Sequence, residues 1–273
     1  MERSLKYILQ IHQINSKMID VHCHLEQQDY DKDRDKVIAA CKKKVKALIS
    51  CCADHKDWSA TKEMHNKHKG YVFITAAVHP EYIEELDMKE VRDFIEVLRK
   101  EATEGNLVGI GEAGLDFHWV KDSVWRDKQK DMFIEFIKLA KETNLPLVVH
   151  SRDAYMECVM ILEDQGMAGK KVMLHQFGDN KLIPRILNNG WFVSIGPGIQ
   201  RSKTTRKIAR DLPLANIMLE TDSPFFGDGE RGVPTNVYKA AAKIAEIKGI
   251  TEEEVERQTD INAINFFGLK LKK

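Results

Sequence analysis

The sequence predicts an α/β fold, a parallel (β/α)8 barrel of the TIM type, on three observations. Eight short apolar, mostly β-prone runs alternate with helical patterns along the chain. Six metal-capable side chains close such runs: His22, His24, Glu112, His150, His175 and Asp222. The length, 273 residues, is close to the roughly 250 of a typical barrel, and no Gly/Ser-rich or Pro-rich linker divides it.

The strand candidates are residues 18–21, 47–52, 71–78, 107–111, 147–150, 172–175, 191–195 and 217–220. Between them, Val91, Phe94, Ile95 and Leu98 fall at helical spacing, as do Met132, Phe133, Phe136, Ile137 and Ala140. Asp153 is placed to cap the helix after His150, and Gly166 to end it. Thr251 and Glu254 form a capping-box pattern at the start of the last helix. Residues 1–17 read as an N-terminal extension. Leu5, Ile8, Leu9 and His12 at helical spacing suggest a short helix packed on the barrel, with the barrel domain spanning 18–273. Lys42, Lys43 and Lys44 read as a solvated helix end. His55, His65 and His68, in a polar helical stretch, read as surface residues.

Charge is balanced at 42 basic and 42 acidic residues. That argues against a long electrostatic track along duplex nucleic acid, without excluding nucleic acid itself. It favours a small substrate or a local grip on one strand end. The five cysteines include no Cys-x-x-Cys pair, which suits reduced thiols in an intracellular protein. Cys51 and Cys52, adjacent on a strand, should point to opposite faces and be buried. No apolar run approaches the ~20 residues of a membrane span. Glu2, Arg3 and Lys6 interrupt any signal-peptide pattern, so a cytoplasmic location is expected, with no membrane and no obligate protein partner evident.

Side chains at i and i+2 of a strand share a face, so His22 and His24 can hold one ion while Cys23 points away. The bland alternative is a pair of core histidines, each donating to a backbone carbonyl. A parallel barrel gathers the C-terminal ends of its strands into one pocket, where all six side chains would meet. Imidazole and carboxylate suit Zn²⁺, Mn²⁺ or similar ions, and the lack of thiolates argues against a structural zinc site.

The stretches Ile19-Asp20-Val21-His22-Cys23-His24-Leu25, Val78-His79-Pro80 and Gly111-Glu112-Ala113-Gly114-Leu115-Asp116 carry a resemblance, together with Val149-His150-Ser151-Arg152, His175-Gln176-Phe177 and Leu219-Glu220-Thr221-Asp222-Ser223-Pro224. In this order they resemble the TatD family of metal-dependent hydrolases, within the wider amidohydrolase-like barrels. The resemblance runs from about Met18 to Leu269 and includes the closing Asn265-Phe266-Phe267. It implies a cofactor of two adjacent divalent ions (zinc, manganese or magnesium). His22, His24 and Asp222 would hold one, His150 and His175 the other, with Glu112 bridging. Asp222 would take the proton of the attacking water or orient it, with Glu112 as the second catalytic carboxylate.

The family is associated with deoxyribonuclease activity, chiefly 3′-to-5′ action on single strands. The implied partner is therefore DNA at single-stranded ends. His79 and Arg152 become candidate phosphate contacts; the alternatives are a capped loop histidine and a salt bridge at the barrel mouth. Asp116 would orient a ligand histidine. Phe117, His118 and Trp119 either stack on a base or fold as a hydrophobic loop over the barrel. Two other functions stay open: a D-aminoacyl-tRNA deacylase or other amide or ester hydrolase on the same site, and a non-catalytic binding protein. The chain departs from the family pattern at Gln176-Phe177-Gly178-Asp179, where Cys-Phe-Ser-Gly is common. It departs again at Ala77, where a Gly commonly precedes Val-His-Pro, and at Arg231-Gly232-Val233-Pro234, where an Asn usually follows the Arg.

Overall fold

The computed structural model describes residues 17–271. The proposed N-terminal helix therefore lies outside the described residues. The strands are β1 (Met18–Cys23), β2 (Val45–Cys52), β3 (Val72–Ala76), β4 (Gly109–Asp116), β5 (Leu147–Arg152), β6 (Val172–Leu174), β7 (Phe192–Ile195) and β8 (Ile217–Leu219). They form one parallel sheet in the order β1 to β8. The ring closes where Asp222 N–H donates to His22 O (2.9 Å) and His24 N–H to Ser223 O (2.7 Å). The α-helices are α1 (Arg34–Cys41), α2 (Trp58–Lys67), α3 (Met88–Thr103), α4 (Ser123–Thr143), α5 (Tyr155–Asp164), α6 (Ile183–Asn188), α7 (Lys203–Asp211), α8 (Val237–Lys248) and α9 (Glu252–Phe267). The (β/α)8 barrel expected from the sequence is present.

Two strands carry irregularities that aim the site residues. In β1, Ile19 and Val21 belong to the barrel interior, yet Cys23 packs outward with the helices. The β1–β2 register shifts between Asp20 and Cys23, and this shift turns both His22 and His24 inward. In β4 the register shifts between Ile110 and Ala113, and both of those residues face the helices. Glu112 between them turns inward. Bulges re-aim side chains in this way beside active sites. Glycine makes the β4 path possible. Gly111 has φ +139° and Gly114 φ +151°, and a Cβ would come 2.5 Å from Val148 O and 1.9 Å from His150 O respectively.

β4 consequently runs to Asp116, five residues past the expected end, and β5 to Arg152. β1 extends over His22 and Cys23. β3 stops at Ala76, where the chain turns toward His79. The opposite end of the barrel is sealed by Phe266, Phe267 and Leu269 packed against Ile19, Ala47, Phe73 and Val148. The capping box at Thr251 and Glu254 opens α9 as the sequence indicated.

Two local expectations are corrected. Asp153 does not cap α5: it sits at φ +56°, Ala154 is the capping position, and the Asp153 carboxylate takes His118 Nδ1 instead (3.0 Å). Gly166, at φ +69°, lies just past the end of that helix, as expected. His65 is buried, not on the surface. It shares a helix face with Thr61 and Met64 and donates from Nδ1 to Val72 O (2.9 Å). Burial holds its pKa below the usual histidine value, consistent with that neutral donor. His55 and His68 are partly buried. Cys51 and Cys52 face opposite sides, and both are buried.

Candidate active site

At the C-terminal end of the strands, seven ionisable side chains meet. Six are those read from the sequence: His22, His24, Glu112, His150, His175 and Asp222. The seventh is His79. His22 Nε2 lies 3.1 Å from His24 Nε2, 3.3 Å from Glu112 Oε2 and 3.6 Å from Asp222 Oδ1. His24 Nε2 is 3.2 Å from Asp222 Oδ1 and 3.7 Å from Glu112 Oε2. The other Glu112 oxygen faces a second group. Oε1 is 2.6 Å from His150 Nδ1, 3.6 Å from His79 Nε2 and 3.7 Å from His175 Nε2. His79 Nε2 is 3.1 Å from His150 Nδ1, while its Nδ1 accepts from Glu81 N–H (3.3 Å). His79 thus caps its loop and also enters the cluster.

Each of three histidines has its far nitrogen tied down. His24 Nδ1 donates to Glu26 Oε1 and Cys51 O (both 3.1 Å). His150 Nε2 donates to Asp116 Oδ2 (2.9 Å). His175 Nδ1 donates to Glu220 Oε2 (2.6 Å). With the far nitrogen fixed as a donor, the near one is the nitrogen that gives up its proton when a cation is bound, and the lone pair so freed points into the cluster. Asp116 does what the sequence reading expected of it. Glu26 and Glu220 had no role in that reading, although each lies two residues from a cluster residue.

Electrostatics couple the group. Burial alone would raise the Glu112 carboxyl, but His175, His79, His22 and the His150 hydrogen bond hold it well below the ordinary range. Burial works against a proton on His175, yet Glu220, Glu112 and Asp222 raise it to about 10. Against the same opposition, Asp116 and Glu112 raise His150 to about 9. His22 goes the other way, lowered by burial and by His175. Carboxylates and imidazoles whose inward protons a cation would displace form a donor set that suits hard or borderline divalent cations. Within it, His22, His175 and Asp222 offer ligand atoms within 4.8 Å of one another, and so do His79, Glu112 and His150.

The matching family model is TatD related DNase, over residues 19–268. This chain belongs to the TatD family. Human deoxyribonuclease TATDN3 is 34% identical over 92% of this chain and 94% of that protein. The uncharacterised metal-dependent hydrolase YabD of Bacillus subtilis is 31% identical over 92% and 98%. In fold, the chain superposes on the TatD homologue YJJV of Escherichia coli with a TM-score of 0.83 at 23% identity, covering 93% and 98% of the two chains. It is accordingly a TatD-type hydrolase, an enzyme acting on ester bonds.

Two of the departures from the TatD pattern, at residues 176–179 and 231–234, have local reasons. Gln176, at φ +42°, donates from Nε2 to Asp222 Oδ2 (2.9 Å) and from its backbone to Glu220 Oε1 (3.2 Å). A side chain at Gly178 would meet the Tyr155 hydroxyl at 2.2 Å, and one at Gly232 would meet Phe225 O at 2.1 Å. Arg231 pairs with Asp33 (2.7 Å) and lies over the Tyr30 ring.

The site opens into a pocket of about 620 Å³ whose lining includes Gln27, Tyr82, Trp119, Arg152, Tyr155, Phe225 and Phe226. Arg152 is exposed there, its guanidinium 5.3 Å from the Trp119 ring. The Phe117–Trp119 segment divides. Phe117 packs against the core under Arg126, His118 pairs with Asp153, and Trp119 faces the pocket. No described helix is long and apolar enough to cross a membrane.

Proposed function

We propose that this TatD-family hydrolase is a deoxyribonuclease that trims single-stranded DNA from the 3′ end. Two divalent ions would be held by the two sets of side chains that meet at Glu112. One observation carries the reading. The two oxygens of a single buried carboxylate face separate sets of imidazoles, Oε2 toward His22 and His24, Oε1 toward His150, His175 and His79. His22, His24 and Asp222 would hold one ion, His150 and His175 the other, with Glu112 shared. When bound, such ions would supply a water nucleophile at neutral pH and positive charge for the oxygens of a phosphodiester.

The chain's own residues do the rest. Asp222 turns Oδ1 into the cluster while Gln176 restrains Oδ2, so one oxygen is oriented to take the proton of the attacking water. Glu26, Asp116 and Glu220 keep the imidazoles in the right tautomer. Arg152 ends β5 at the pocket and makes no ion pair among the described residues, so its guanidinium is available to grip a phosphate. Charge balance over the whole chain supports contact with few phosphates.

The test is a 3′-labelled single strand beside an aminoacyl-ester panel. Release of labelled mononucleotide, lost in chelator and restored by divalent metal, is expected. Ester hydrolysis with no DNA cleavage would replace this reading with the deacylase alternative.

A further inference from the structure

Every exposed Phe or Trp among the described residues lines this one pocket. They are Trp119 (61% exposed), Phe225 (49%) and Phe226 (43%), while the remaining Phe and Trp side chains are buried or partly buried. Exposing large aromatic surface is unfavourable, and such surface at a pocket mouth marks a binding site.

The topology sets them against each other. Trp119 follows β4, and Phe225 and Phe226 follow β8. In a ring of eight strands in sequential order, β4 and β8 stand on opposite sides, with the ionisable cluster between. Both aromatic positions hang on the cluster through the backbone. Trp119 N–H donates to Asp116 Oδ1 (2.7 Å), and the other oxygen of that carboxylate holds His150. Phe225 N–H donates to Asp222 O (2.9 Å). The loop beyond is pinned by Gly232 N–H to Pro224 O (2.7 Å) and by the Tyr30 hydroxyl to Gly232 O (2.6 Å). The backbone that carries the rings is therefore set relative to the reacting centre before a ligand arrives.

We propose that Trp119 on one rim and Phe225 with Phe226 on the other form a nucleobase clamp. They stack on unpaired bases next to the phosphodiester held at the cluster. This rests on the deoxyribonuclease reading above. A purely apolar occupant fits poorly, because Arg152 stands over Trp119 and brings a cation to the same rim, where a phosphate would lie. Stacking tolerates any base, but it requires that the base be unpaired. The clamp therefore selects frayed or single-stranded ends without selecting sequence.

The experiment compares two single strands of equal length, one natural and one carrying abasic tetrahydrofuran residues at its 3′ end. Metal-loaded full-length protein is used, and binding is followed by polarisation in parallel with cleavage. The natural end should bind roughly tenfold tighter for each base stacked. Trp119→Ala and Phe225→Ala should each bring the ratio of natural to abasic KM toward one, and Trp119→Phe should restore most of it. Val97→Ala, an exposed apolar change on α3, should keep the wild-type ratio. Equal use of both ends by the wild type, or an undiminished ratio in Trp119→Ala, overturns the clamp. Cleavage without base preference would remove the clamp and leave the nuclease reading intact. Base-dependent binding without cleavage would leave the clamp and remove the nuclease.

Discussion

The two ends of this barrel are built from the same strands on opposite principles. At one end the inward side chains are Ile19, Val21, Ala47, Ile49, Phe73, Val148, Met173 and Met218, sealed by Phe266 and Phe267 at the end of α9 and by Leu269 just beyond it. Burying each large side chain there stabilises the fold by roughly 1.5–3 kcal/mol. Two residues further along several of these strands, the inward positions are His150 after Val148, His175 after Met173 and Glu220 after Met218. Burying charge is unfavourable unless each group is paired, and here nearly every one is paired. A single two-residue step along the strand separates positions that hold the fold from positions that do chemistry.

The contrast can be broken from either side. Glu112→Gln should leave the fold intact by far-UV circular dichroism, yet lower hydrolysis by roughly 10²–10³-fold or more and reduce bound metal. Near-normal turnover would show that the two halves of the cluster work without their shared carboxylate. At the sealed end, Phe266→Ala should cost about 3–5 kcal/mol in urea unfolding, with kcat of the folded fraction within about twofold of the wild type. A large kcat loss there would mean that the two ends are coupled.

Smaller changes sharpen the same contrast. Glu220→Gln keeps the shape around His175 but weakens its hold on the ring nitrogen. Metal affinity should fall roughly 10–100-fold, read by competition with a chromogenic chelator. An unchanged affinity would make Glu220 a packing residue. The smallest effect belongs to the sealed end. Burial raises Asp260 to about 6, against hydrogen bonds from Lys46 and the Ile19 N–H. The folded state therefore holds this proton more tightly than the unfolded chain. That contribution is present below about pH 4 and is lost as pH climbs through about 6. Asp260→Asn removes it, so the stability of the variant relative to wild type should rise between pH 4 and pH 7. A difference that stays flat or falls would mean that burial does not raise the Asp260 carboxyl.

Most of the site was legible because its residues end apolar runs. His-x-His after Ile19-Asp20-Val21, and His150 after Leu147-Val148-Val149, are short-range signals. What the sequence could not show was long-range. His79 enters the cluster because β3 stops at Ala76 and the chain bends inward before Pro80. The reach of β4 to Asp116 depends on Gly111 and Gly114 lying against β5, a contact with residues some 35 positions away. Glu220 pairs with His175 across 45 positions. His65 had a local signal, the i, i+3, i+4 face with Thr61 and Met64, that its polar neighbours masked. Asp153 took a left-handed backbone and His118 instead of a cap, which only the meeting of the β4 and β5 loops explains.

Metal stoichiometry against activity tests the central claim most directly. Protein purified without added metal would be stripped with chelator, titrated with Mn²⁺ or Zn²⁺, and assayed at each point for release of the 3′ nucleotide from a single strand. Activity should be absent at the start and should rise to a plateau at about two ions per chain. Full activity in excess chelator, or a plateau reached with no ion bound, would contradict a hydrolase built around a carboxylate shared between two ions.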